Sequence, residues 1–286
     1  MQKVATIVLF VLVIGLACTP GSARADLVPP NFDAATFAPG APINHPYFPL
    51  LDSRTRVYVS REDGEGHRFE LTVLGPGPTI LGVQTTVRRD RAFADSLLVE
   101  DTFDYFAQDT AGNVWYLGED VTNYVYDAAG NLIGTNNASA WRAGENFAKP
   151  MGGDPAKPGF IMPADPTVGE YFQGFAPDDG ARDQAKHVAV LPLISIGIGN
   201  FTNVLPVLET TQLHPDAREF KYYAPGVGLI LVEEGLDSNV QNPEATVALV
   251  RVVPEPATLT VFGLGVLGLL GYKLVARKHG VHRKAA

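Results

Sequence analysis

Residues 97–120 read LLVEDTFDYFAQDTAGNVWYLGED, and this stretch decides the fold class. Its first half is rich in aromatic and β-branched residues and alternates with period two, the repeat of a strand with one buried face. Glu100 and Asp104 then fall on one face and Asp101 on the other. Asp109-Thr-Ala-Gly112-Asn113 follows, with an Asp able to cap its own turn and a Gly that accepts positive φ. Apolar residues flank it, so the segment reads as a hairpin turn between two strands. The same turn recurs as Asp127-Ala-Ala-Gly130-Asn131, which extends the hairpin into a meander.

Outward from this segment the same period continues. Strands are expected at 55–60, 68–74, 80–91, 97–107, 113–117, 123–126, 138–142, 187–193, 203–211, 219–223, 228–234 and 245–253. Helical character is confined to 177–186, where Asp178 and Asp179 open the segment and Lys186 closes it, as a helix dipole favours. The stretch 144–169 holds Pro150, Pro155, Pro158, Pro163 and Pro166 and is expected to be a long ordered loop, packed across an open end of the sheet or serving as a lid. Composition predicts disorder only for the Pro-rich lead at 27–49 and for 237–244. The expected fold is mainly β: one large curved antiparallel sheet, or an open barrel or sandwich, with an N-terminal signal helix and a C-terminal transmembrane helix.

Both ends carry delivery signals. Lys3 precedes an uncharged apolar run from 4 to 17, then Pro20-Gly21 and Ala23-Arg24-Ala25, the layout of a secretory signal peptide cleaved after Ala25. A lipoprotein reading would instead use Cys18, although Gly15 stands where a lipobox has Leu. Cleavage after Ala25 removes that single cysteine, and disulfides and thiolate metal sites are then excluded. At the other end Val253-Pro254-Glu255-Pro256 precedes an uncharged run from 257 to 272, followed by Lys273, Arg277, Lys278, Arg283 and Lys284. A span at about 257–276 becomes long enough when Lys273 snorkels. The basic residues stay cytoplasmic, so everything between the two apolar runs is outside.

This order of features resembles the PEP-CTERM sorting signal, which is V-P-E-P, a transmembrane helix and a basic tail. The resemblance implies export, recognition of Pro254, Glu255 and Pro256 by an exosortase, removal of the tail, and a place at the cell surface of a Gram-negative bacterium that makes exopolysaccharide. Signal peptidase, the secretion machinery and the exosortase are then the partners, with exopolysaccharide a further candidate and the membrane a partner through the helix before processing. A single-span anchor that is never cleaved is the alternative. Gly263, Gly265 and Gly268 spell G-x-G-x-x-G inside the span, with no acidic residue after them, and read as small residues on a membrane helix rather than a dinucleotide site.

The organisation expected is 1–25 signal peptide, 26–46 Pro-rich lead, 47–253 exported β domain and 254–286 sorting signal. Between 26 and 253 stand 15 Lys and Arg against 30 Asp and Glu. Such a field repels phosphate backbones and argues against nucleic acid. Y-F-P-L at 47–50, D-T-A-G-N-V-W-Y-L-G-E-D at 109–120, P-G-F-I-M-P-A-D-P at 158–166 and K-Y-Y-A-P-G-V-G-L at 221–229 resemble an uncharacterised family of bacterial extracytoplasmic β-rich domains. That likeness implies a curved antiparallel sheet and an extracytoplasmic location, and no activity.

Local motifs for chemistry are missing. His45, His67, His187 and His214 stand alone, with no H-E-x-x-H or similar spacing. Ser53, Ser60, Ser96, Ser139, Ser195 and Ser238 lie outside any nucleophile elbow. Asp178, Asp179 and Asp183 lack a calcium-loop pattern and are expected to cap a helix. No metal, cofactor or catalytic residue is therefore assigned. Carboxylates at Glu100, Asp101, Asp104, Glu119 and Asp120 are the richest resource, and a glycosidase would use such a pair, although acidic outer faces of sheets are commoner. Trp115, Tyr116 and Trp141 are the candidate ligand-contact residues, able to stack on sugar rings if they face solvent. The reading is a non-catalytic binding or structural surface protein, with a carboxylate-based hydrolase and a carrier of apolar ligands as rivals.

Overall fold

In the computed structural model, residues 27–62, 65–167 and 169–254 are described. The expected signal peptide with Ala23 and Ala25 lies outside them, as do Glu255, Pro256 and the expected membrane span. Among the described residues no helix is long and apolar enough to cross a membrane.

Alternation of side chains produces strands almost everywhere. β1 (Asn44–His45) and β2 (Phe48–Pro49) pair as a small separate hairpin. The others are β3 (Thr55–Glu62), β4 (Glu65–Ile80), β5 (Val83–Ala94), β6 (Leu97–Gln108), β7 (Val114–Tyr126), β8 (Leu132–Asn136), β9 (Trp141–Arg142), β10 (Lys157–Met162) and β11 (Glu170–Ala176). They continue as β12 (Ala181–His187), β13 (Leu191–Ile196), β14 (Gly199–Thr211), β15 (Arg218–Ala224), β16 (Gly228–Glu234) and β17 (Ala245–Val253). All fifteen join one antiparallel sheet. Twelve of them form a ring in the order β10-β11-β12-β14-β15-β16-β17-β3-β4-β5-β6-β7, and β7 returns to β10. The mainly β, single-sheet expectation is borne out, and the sheet closes into a barrel. Closure removes the unpaired edges that an open sheet of this size would expose.

The closing strand lies in the stretch expected to be a loop. β10 pairs with β11 through Lys157 and Pro158 and with β7 through Gly159, Phe160 and Met162. Prolines are tolerated here because the ladder changes partner at Pro158, so the missing N–H costs little. Gly159 is required by proximity: a Cβ there would overlap the backbone of Phe172 and Gln173.

The helix expected at 177–186 is instead a turn followed by β12. Ala181 and Ala185 are the buried alanines of this segment, and a spacing of four is in phase with both a helix and a strand. The turns at Asp109 and Asp127 form as read. In each, the Asp side chain accepts the backbone N–H and the side-chain amide of the Asn four residues later, at 2.9–3.0 Å.

The Pro-rich lead is packed into the fold rather than disordered. Phe32 and Phe37 lie edge-on against Trp115 at 5.1 and 6.4 Å between ring centres. The β1–β2 hairpin plugs one end of the barrel, where Ile43 and Phe48 join Phe106, Val114, Met162, Leu205 and Tyr223 in an apolar cluster. At the side, β7 is flanked successively by β10, β9 and β8. Trp141 of β9 is fully buried and fills the seam towards β11. A Cβ added to Gly174 of β11 would stand 2.6 Å from Trp141 Cζ2. Gly174→Ala is therefore expected to cost about 1–3 kcal/mol through overpacking, read as a lowered midpoint in urea denaturation. An unchanged midpoint would show that the seam is loose. All twelve ring strands, the plug and the apolar clusters lie within 32–253, so the barrel is complete without either terminal segment.

Candidate functional site

The interior of the barrel holds the charges. A cavity of about 180 Å³ is lined by eight acidic residues but only two basic ones, Arg88 and Lys221. At ~30 Å³ per water this is room for about six waters. Strand alternation explains the placement. On β5 and β6 Arg88, Asp90, Glu100, Thr102, Asp104 and Phe106 face inward, whereas Arg89 and Asp101 pair on the outside at 2.6–2.7 Å. On β7 the register shifts at Leu117, so Tyr116 and Glu119 both face the cavity and Asp120 turns outward. There Asp120 accepts from Tyr105 and Arg142 at 2.6–2.8 Å.

Two ion-pair groups organise the acids. Arg88 donates to both oxygens of Asp90 at 2.8 Å and to Asp104 at 2.9 Å, and Tyr116 donates to the other Asp104 oxygen at 2.6 Å. Lys221 reaches Glu209 at 2.6 Å and Glu219 at 2.9 Å, and Gln173 donates to Glu209 at 2.7 Å. Among the described residues no Lys or Arg forms an ion pair with Glu100, Glu119 or Asp183. Most of the remaining lining is apolar, with Ser139, Thr210 and Glu234 among its polar members. Tyr58, Phe69, Leu71, Val232 and Val247, from β3, β4, β16 and β17, make one wall.

Burial in this chamber disfavours the charged carboxylate. Desolvation pushes Glu100 up to about 7, helped by Asp104 and Asp101. Asp90 rises to about 7 despite Arg88, and Glu219 to about 7 despite Lys221. Asp183 rises to about 6 by desolvation, with Glu209 adding to it. Glu119 is pushed well above the carboxylate range by desolvation and by Asp104, Glu100 and Asp183. The last cause places Glu119 within electrostatic reach of acids from both sides of β10.

The sequence candidates are distributed as follows. Glu100, Asp104, Glu119 and Asp183 meet in the barrel interior, while Asp101 and Asp120 form outer ion pairs. Asp178 holds Asn146 at 2.9 Å and Lys149 at 2.5 Å, and Asp179 accepts the N–H of Phe147 at 3.1 Å, so both tie down a loop rather than cap a helix. Trp115 is 2 % exposed, with its N–H on Asp109 at 2.8 Å, and Trp141 is fully buried. Neither presents a face to a glycan in solvent. Tyr116 reaches the chamber with its hydroxyl. Pro254 is exposed at the end of the described chain. His45 of the plug and His187 of β12, isolated in sequence, come together at the plugged end. Burial lowers both, His45 to about 4 with a further contribution from His187. No group of three metal-ligating side chains is placed to hold a metal ion among the described residues.

Arg88, Asp90, Gln173, Glu209, Glu219 and Lys221 were not singled out by sequence. The available signal was parity: Glu219, Lys221 and Tyr223 alternate on one face of β15, and Arg88 and Asp90 on one face of β5.

No curated protein matches the chain. Two solved structures are similar to it. One is a protein from Bacteroides fragilis described as exported and of YmcC-like fold, 12 % identical, with a TM-score of 0.37, over 72 % of this chain and 98 % of that one. The other is a protein from Parabacteroides distasonis described as a lipoprotein, 13 % identical, with a TM-score of 0.35, over 72 % and 97 %. Residues 252–278 match the model of the PEP-CTERM protein-sorting motif, two residues of which, Val252 and Val253, belong to β17 of the barrel. By that motif the chain is an exported protein of the cell envelope, sorted by an exosortase.

Proposed function

We propose that the exported barrel is a non-catalytic binding module of the cell surface, with its ligand in the barrel interior. The observation that carries this reading is the chamber itself: about 180 Å³, plugged at one end, with an apolar wall on β3, β4, β16 and β17 facing an acidic one. Concave sites that combine apolar walls with a few placed polar groups are the usual form of small-molecule sites. An association with exopolysaccharide rests on the sorting signal alone, because the sugar-stacking candidates Trp115 and Trp141 are enclosed.

The raised carboxyls Glu100 and Glu119 favour the rival reading, a secreted hydrolase with a protonated acid. Against it, a chamber with room for about six waters inside a closed barrel offers no cleft for a polymer. A screen of chromogenic glycosides, esters and peptides decides between them. The expected result is no turnover above background, unchanged by Glu100→Gln, Glu119→Gln or Asp120→Asn. Turnover that disappears with Glu100→Gln or Glu119→Gln, in protein that remains folded, would replace the binding reading with the hydrolase.

A further inference from the structure

We propose that the chamber takes a small organic ammonium with an apolar tail, its charge among Glu100, Glu119 and Asp183 and its tail against Tyr58, Phe69 and Val247. This rests on the reading of the barrel interior as a binding site and names the class of ligand.

Charge bookkeeping within the chamber leads there. Arg88 and Lys221 are each already shared between two carboxylates. Glu100, Glu119 and Asp183 face the same cavity with no cation beside them among the described residues. A second observation is independent of the acids: Tyr58, Phe69, Leu71 and Val247 line the same cavity and give it an apolar, partly aromatic wall.

The chemistry of the lining separates an ammonium from the alternatives. A bare metal ion would need three or more converging ligands, and no such group is formed among the described residues. An uncharged apolar ligand would offer the carboxyls no hydrogen-bond partner. An anion would meet eight acidic residues. An ammonium carries three donors for carboxylates, and aromatic faces such as Tyr58 and Phe69 attract its positive charge as well as its hydrocarbon.

Calorimetric titration of residues 26–253 at pH 8 tests this with butylammonium and phenethylammonium chloride, against 1-pentanol and 3-phenylpropanol as neutral counterparts and calcium chloride as a competitor. At least one ammonium is expected to bind ~10-fold or more tightly than its alcohol. Glu119→Gln and, as a second variant, Glu100→Gln are expected to weaken it by ~10-fold, while Asp127→Asn on an exposed turn leaves it unchanged. Equal binding of ammonium and alcohol overturns the ammonium assignment and leaves the chamber a binding site. Displacement of the amine by calcium overturns it in favour of a metal. Absence of heat with every probe also overturns it, whereas the binding reading itself falls only to turnover in the substrate screen.

Discussion

Arg88→Met is expected to destabilise the barrel by about 3–5 kcal/mol, the usual consequence of removing one partner from a buried ion pair. Arg88 is the centre of the acidic wall. Its planar fork spans both oxygens of Asp90 and still reaches Asp104, and it lies over Phe106 and Phe48 at 5.0 and 5.5 Å from the ring centres. Methionine keeps most of the packing and removes the charge, so the loss reports the two carboxylates left unpaired. Their replacement in the same chain, Arg88→Met with Asp90→Asn and Asp104→Asn, is expected to restore most of the stability. Arg88→Lys should fall between, because one ammonium cannot reproduce the fork. Urea denaturation measures all three. A loss below about 1 kcal/mol for Arg88→Met would mean that water in the chamber screens the acids almost as bulk solvent does.

Thermal stability is expected to fall between pH 6 and pH 8, by about 3 kcal/mol or ~6–12 °C. The sign follows from proton counting. Asp90, Glu100 and Glu219 hold their protons up to about pH 7 in the folded chain, Asp183 to about 6, and Glu119 higher still. Unfolded, all five ionise near their ordinary values, so the folded state binds more protons. That stability is complete below about pH 4 and is lost as pH rises through the folded values.

The groups facing these acids are Arg88, Asp104, Tyr116, Glu209, Lys221, Tyr223 and Glu234. Arg88 and Lys221 are themselves held protonated by their carboxylate partners, so neither titrates in this window. His45 and His187 act in the opposite direction, since both are held neutral by burial. They weaken the fold only as pH falls below about 6.5, which leaves the interval above it to the carboxyls. Replacing Glu100 and Glu119 by Gln should raise the melting temperature at pH 8 and flatten the profile. A melting temperature constant or rising from pH 6 to 8 would contradict the placement of these acids in a chamber shielded from bulk water.

Much of the fold was legible in the chain. Residues 97–126 declared strands and turns because aromatic alternation and the Asp-x-x-Gly-Asn turns are local signals, and β14 to β17 were legible for the same reason. β12 was misread because Ala181 and Ala185 satisfy helix and strand alike, and β10 because prolines count against a strand unless its ladder changes partner. The Pro-rich lead was misread for a similar reason. Its order comes from Phe32, Phe37 and Phe48 docking on residues 58 or more positions away.

By itself the sequence determined the export of the protein, its acidity, its β character and the opposite faces of Glu100 and Asp101, all of which depend on composition, short linear motifs or the period of a strand. Which of the two faces looks inward was decided only by tertiary structure, because period two assigns residues to sides without saying which side the closed sheet encloses. Closure through β10 put Glu100, Asp104 and Glu119 in the chamber with Arg88 and Lys221 and buried Trp115 and Trp141 in the wall, so the site depends on pairings between strands far apart in the chain.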